Sequence, residues 1–195
     1  MRGAEHVKGA SESGWTGRTW LIVATLATAA CNGDATERPP LLPAAPDADA
    51  RCAVWEREMG FARSVEEHDS VAFKEHVQTG ALFITGGEDL RGRDAITLDW
   101  KTVLEGKKLQ LHWYPTSIVV LGDPRVALAR GPYWFDTTDD AGKPKYLKGG
   151  FQGVWVKDND GVWRVIVEGG TPGASAATEA EVKTLAAAAP ARCPF

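Results

Sequence analysis

Four side chains in the second half of the chain are of the types that move protons: Glu168, Asp136, His112 and Tyr114. A carboxyl group inside an apolar pocket has a raised proton affinity, which suits it to shuttle a proton beside a carbonyl, while His or Tyr polarises the carbonyl oxygen. These four are the catalytic candidates, and each has a plainer reading. Glu168 is either a pocket carboxylate or a solvated strand end beside Gly169-Gly170. His112 either polarises a ligand or is a hydrogen-bonded surface residue. Tyr114 precedes Pro115 and either donates to a ligand or packs at a strand bend, and Asp136 either reaches the pocket or belongs to a polar rim. The ligand-binding candidates are Trp100, Trp113, Tyr114, Trp134 and Gln152: the three indoles either line a cavity or fill a core, and Gln152 either reads a polar group of a ligand or faces solvent.

Other chemistries lack their residues. Gly86-Gly87 has no lysine at phosphate-loop spacing, and no serine-centred nucleophile elbow occurs. His6, His68, His76 and His112 show no metal-ligand spacing, and no C-x-x-C pair is present, so neither a metal nor a cofactor is expected. The formal net charge of -4 provides no field for nucleic acid. Lys107-Lys108 and Lys143, Lys145 and Lys148 read as solvated turns.

The elements that must position the candidates follow from periodicity. Of the 195 residues, 44% are hydrophobic and 25% charged, the balance of a globular domain rather than a disordered chain. Trp55, Met59 and Ala62 recur at helical spacing, which predicts a first helix over 51–67. Asp69-Ser70 offers an N-cap for a short second helix over 71–77. A short strand follows over 81–85, and Gly92-Arg93-Asp94-Ala95-Ile96 opens a third helix running to about Glu105. The period then changes from 3.6 to 2. Strands are predicted over 109–121, 126–137, 146–157 and 162–168, the last two joined by an Asp158-Asn159-Asp160-Gly161 turn. Helices followed by an antiparallel meander describe an α+β fold, with N-terminal helices packed on a curved antiparallel sheet. Alternation places Gln110, His112 and Tyr114 on one sheet face and Leu109, Leu111 and Trp113 on the other; Arg130, Trp134 and Asp136 share a face, as do Arg164, Ile166 and Glu168. Which face turns inward is open at this point.

The N-terminal 50 residues are of a different kind. Residues 1–18 carry a net charge of +1, and an apolar run over 19–30 (TWLIVATLATAA) precedes Cys31. Twelve helical residues span about 18 Å, short of a hydrocarbon core of roughly 30 Å but fitting a signal peptide. Leu26-Ala27-Thr28-Ala29-Ala30-Cys31 resembles the lipobox of bacterial lipoproteins, in which the cysteine becomes the lipidated first residue; Thr28 stands where an aliphatic residue is usual. Residues 31–50 hold four prolines and read as a Pro/Ala-rich tether. With residues 1–30 removed the chain carries -5, so any hold on a membrane would come from the lipid alone. The expected location is the bacterial cell envelope, facing the periplasm, or alternatively outside the cell. With Cys31 lipidated, Cys52 and Cys193 remain as a pair that an oxidising compartment can join. Residues 171–195 form a tail with a short helix capped by Thr178.

Three stretches carry a family resemblance: Glu66-Glu67-His68-Asp69 between the first two helices, Leu90-Arg91-Gly92-Arg93-Asp94-Ala95-Ile96, and the hairpin of Phe151-Gln152-Gly153-Val154-Trp155 with Gly161-Val162-Trp163-Arg164-Val165-Ile166. In this order and spacing they resemble the nuclear transport factor 2-like superfamily, in its SnoaL-like and ketosteroid isomerase-like bacterial branch, over about 115 residues of the 51–170 domain. The resemblance implies a conical α+β fold with a pocket between sheet and helices, and homodimers through the sheet. The function expected is an exported, lipid-anchored module that binds a small apolar or amphipathic ligand or a protein partner. The alternative is an isomerase- or cyclase-like enzyme doing acid–base chemistry in the cone.

Overall fold

The structure is a computed structural model that describes residues 48–84, 86–87, 89–170 and 173–195. The segments read as an export signal and, for nearly all of its length, as a tether, Cys31 included, lie outside the described residues.

Helix α1 (Ala48–Glu66) begins three residues earlier than its apolar period and buries one stripe: Val54, Trp55, Glu58, Phe61, Ala62 and Val65. Asp69 caps α2 (Ser70–His76), its carboxylate accepting from the amides of Val71 and Ala72 at 2.9 Å. Arg57 ties the first two helices to the sheet, donating to the carbonyls of Glu75 (2.7 Å) and Trp163 (2.9 Å). The third predicted helix is divided at Trp100 into α3 (Arg93–Asp99) and α4 (Lys101–Glu105). The break turns the Trp100 ring against Phe73 and Phe83, with centroids 5.4 Å away in each case.

The strands are β1 (Val77–Ile84), β2 (Asp89–Arg91), β3 (Leu109–Trp113), β4 (Ser117–Val120), β5 (Val126–Thr138), β6 (Pro144–Lys157), β7 (Trp163–Gly170) and β8 (Ser175–Ala177). They form one curved, open sheet in the order β2-β1-β7-β6-β5-β3, with β4 also on β5 and β8 on β6. Three features depart from the meander that alternation predicts. The sheet is mixed, because β1 lies parallel to β7 while the other pairs are antiparallel. The long strand expected over 109–121 is two strands, because Pro115 has no N–H for a ladder and bends the chain after Tyr114. Gly131 faces that bend on β5, where a Cβ would collide with the Tyr114 carbonyl oxygen. Finally, the register of β6 against β7 shifts between Val154 and Trp155. That β-bulge breaks the alternation of β7, so Glu168 shares a face with Val165 and Trp163 rather than with Arg164.

The register settles the orientation of the sheet. Leu111, Trp113, Tyr133, Phe135, Phe151, Trp155 and Glu168 face the helices; His112, Tyr114, Trp134, Asp136 and Gln152 face the other way. The tail crosses that outer face. Helix α5 (Glu179–Ala187) starts in a capping box between Thr178 and Glu181 and buries Val182 against Tyr114 and Trp134. Cys52 and Cys193 are joined by a disulfide, with Cα atoms 5.5 Å apart across 141 residues of sequence.

Closing so long a loop stabilises mainly by restricting the unfolded chain, by about 5 kcal/mol in the chain-entropy account. The Cys52→Ser/Cys193→Ser double variant should lose several kcal/mol in chemical denaturation, whereas a loss below about 1 kcal/mol would show that the tail is held by packing alone.

Candidate functional site

Between α1 and the inner sheet face lies a cavity of about 430 Å³. Its wall is aromatic: Phe61 from α1, Phe83 from β1, Trp100 from the α3–α4 break, Trp113 from β3, Tyr133 and Phe135 from β5, and Phe151 from β6. Phe61 and Trp113 meet edge to face at 5.3 Å, and Tyr133 meets Phe135 at 5.4 Å. Among the described residues the one carboxyl group in the wall is Glu168, with Gly169, Gly170, Gly173 and Ala174 beside it.

A second acid stands behind the wall. Glu58 is fully buried on the α1 stripe and accepts two hydrogen bonds, from Trp113 Nε1 to Oε1 at 2.7 Å and from Trp155 Nε1 to Oε2 at 2.6 Å. Burial pushes its carboxyl up to about 7, against the pull of the two indole donors toward the charged form. Glu168 occupies the central strand β7, level with Gly153 on β6 and Phe83 on β1. The residue is partly accessible through the cavity, but its Oε2 is shut off from solvent and has no hydrogen-bond partner among the described residues. Gly153 makes room for it: a Cβ there would overlap Oε2 and stand 3.5 Å from Trp155 Nε1. Burial, and then the nearby charge of Glu58, raise the Glu168 carboxyl well above the ordinary range, with only the Gly169 amide favouring the ionised form. Glu58 has two strong donors and Glu168 has one, so the charge belongs on Glu58 and the proton on Glu168.

The remaining titratable groups nearby stay neutral. His76 packs under Phe61 and is held down to about 3 by burial and by Arg57, and burial raises the Tyr133 phenol. Among the described residues no group of three or more His, Cys, Asp or Glu side chains is placed to hold a metal ion.

Of the residues singled out from sequence, the structure brings Glu168, Trp100 and Trp113 to the cavity. Asp136, His112, Tyr114, Trp134 and Gln152 lie on the opposite face, because the odd-numbered residues of β3 and β5 turn inward. There they make a separate cluster. His112 Nδ1 is 2.7 Å from Glu66 Oε1, its Nε2 is 3.5 Å from Asp136 Oδ2, and its ring stacks on Trp134 at 5.2 Å. Tyr114 packs edge to face on Trp134 beneath α5. Glu58 was missed although its signal was present. Val54, Glu58, Phe61 and Val65 form one helical stripe, and a carboxylate inside an apolar stripe demands buried donors.

The fold is shared with solved structures of low sequence identity. A nuclear transport factor 2-like superfamily protein from Salmonella enterica serovar Typhimurium superposes with a TM-score of 0.56 at 19% identity, covering 68% of this chain and 96% of that one. A ketosteroid isomerase-like protein from Erwinia carotovora atroseptica gives 0.53 at 15% identity, over 62% of this chain and 94% of that one. A protein from Novosphingobium aromaticivorans, described as nuclear transport factor 2-like with a cystatin-like fold, gives 0.52 at 18%, over 63% and 80%. The fold is nuclear transport factor 2-like. No family model matches the sequence, and no curated protein matches it.

The two raised acids set the pH dependence of stability for this cone. At these two carboxyls the folded chain holds more protons than the unfolded chain above the ordinary value of 4.5, so their contribution to stability is fully present below it and is lost as pH rises, through about 7 at Glu58. Glu168→Gln should flatten that fall and be more stable than the parent at pH 8, as followed by thermal melting across pH. An unchanged profile would show Glu168 ionised in the fold.

Proposed function

We propose that the chain is an exported, lipid-anchored binding module whose cone holds a small apolar or amphipathic ligand. The observation that carries this reading is the cavity itself: about 430 Å³, walled by aromatic rings, with one buried carboxyl oxygen that no described residue satisfies. Space of this size and lining falls in the range of ligand pockets, and an orphan polar atom inside it gives a guest one point of orientation. Export is supported by the apolar run before Cys31 and by the Cys52–Cys193 disulfide, which suits an oxidising compartment. A homodimer through the sheet would use the outer face that α5 leaves open, around the exposed Arg130 and Gln152.

One observation favours the enzymatic alternative: two carboxyls sit at the cone with unequal proton affinity, Glu58 held by two indole donors and Glu168 by one amide, as acid–base chemistry requires. In that reading Glu168 exchanges a proton with the ligand and Glu58 tunes it through Trp155. Turnover lost in Glu168→Gln with ligand binding kept would favour it over simple binding.

Trp100 and Trp113 line the cavity, so a ligand there should change intrinsic fluorescence. Across a panel of steroids and medium-chain alcohols, a binder at a hundredfold excess over its Kd should stabilise the protein by about 2.7 kcal/mol. Leu111→Trp, which fills the cavity, should remove both effects; a panel without any response would overturn the cavity reading. Mass spectrometry of envelope-extracted protein should find Cys31 as an acylated N-terminus, and an unmodified mature terminus would leave a secreted protein without an anchor.

A further inference from the structure

The chemistry of the cavity wall narrows the guest further, on the footing that the cavity binds a ligand at all. We propose that the cone takes a lipophilic ammonium ion, an organic amine whose apolar body lies among the rings and whose protonated nitrogen hydrogen-bonds to Oε2 of Glu168.

Three observations converge. The first is the orphaned oxygen. Oε2 of Glu168 is buried and without a hydrogen-bond partner among the described residues, and the indole Nε1 of Trp155, which like Oε2 lies beside Gly153, is already committed to Glu58 at 2.6 Å. An ammonium group brings N–H donors to it. The second is the charge inventory. Among the described residues, the titratable groups facing Glu168 are Glu58 behind Trp113 and Trp155, and the Tyr133 phenol, and the described lining contains no lysine, arginine or histidine. The site holds two acids and no cation, so a cationic guest is the one that lowers its electrostatic cost. A carboxylate guest would place a third acid in the same apolar space. The third is the wall. Phe61, Phe83, Trp100, Trp113, Tyr133 and Phe135 present aromatic rings, whose negative faces attract a cation most strongly where water is excluded. A neutral ketone or alcohol would use the Glu168 hydrogen bond but draw nothing from the rings or from Glu58.

The proton balance is explicit. The free cone holds a protonated Glu168. The amine enters from neutral solution as R–NH₃⁺, the Glu168 O–H bond breaks, and its proton leaves to solvent, so the bound pair is R–NH₃⁺ with a Glu168 carboxylate. Binding therefore releases one proton.

Calorimetric titration with octylamine, 1-octanol and octanoic acid, which share one chain and differ in the head group, separates the alternatives. The account expects octylamine to bind about tenfold or more tighter than 1-octanol, octanoic acid to bind weakest, and the heat of amine binding to vary between buffers of different ionisation enthalpy as one released proton requires. Glu168→Gln should bring octylamine down to the level that 1-octanol reaches in the same variant, with far-UV circular dichroism and the melting temperature showing that the variant is folded. Octanol binding as tightly as octylamine, or a preference for the amine that survives Glu168→Gln, overturns the ammonium assignment and leaves the cavity reading intact. Failure of all three chains to bind, with no fluorescence response to any member of the steroid and alcohol panel, overturns both.

Discussion

The structure depends on one buried carboxylate held between two indoles. Glu58 lies at the centre of the apolar stripe of α1, and its two oxygens take the N–H groups of Trp113 on β3 and Trp155 on β6. Leaving either indole donor unpaired would cost about 1–3 kcal/mol, and burying the carboxylate without both would cost more. The helix therefore has one depth and one rotation against the sheet. That placement sets Phe61 over the inner sheet face and leaves the space beneath it open rather than collapsed.

The same arrangement leaves Glu168 unsatisfied. Both nearby indole donors are used by Glu58, so the second acid keeps its proton and presents an unpartnered oxygen. Its position is the product of several small backbone devices: the bulge in β7 turns it inward, Gly153 clears the space for its oxygen, and the parallel strand β1 closes its other flank with Phe83. A site that costs stability at neutral pH and gains nothing inside the protein is the kind of feature a ligand would explain.

The two faces of the sheet divide the remaining work. Inward residues make the cavity, while outward residues carry the His112, Glu66 and Asp136 cluster and the seat of the tail helix. The disulfide at Cys193 and the capping box at Thr178 hold that tail in place, and Val182 closes over Tyr114 and Trp134.

Much of this was legible in the amino-acid sequence, for identifiable reasons. Asp69 and Thr178 are local caps and were readable as such, as were the helix-to-strand change of period and the face groupings of β3 and β5. What was not readable was non-local. The parallel pairing of β1 with β7 depends on contacts far apart in the chain, and no single-strand period records a partner's direction. Alternation also cannot say which face is inside, which is why His112, Asp136, Tyr114, Trp134 and Gln152 were grouped with the cavity residues. Glu168 was grouped with Arg164 because a bulge between them is invisible to a strict period of 2. Glu58 was overlooked as a polar interruption, although only a satisfied acid can sit in that stripe. The central claim, that Glu168 keeps its proton at neutral pH and holds it more tightly than Glu58 does, is tested most directly by difference infrared spectroscopy between the parent and Glu168→Gln. The account predicts a protonated carboxylic C=O band at pH 7 that disappears in the variant; a difference spectrum showing only the loss of a carboxylate band would contradict it.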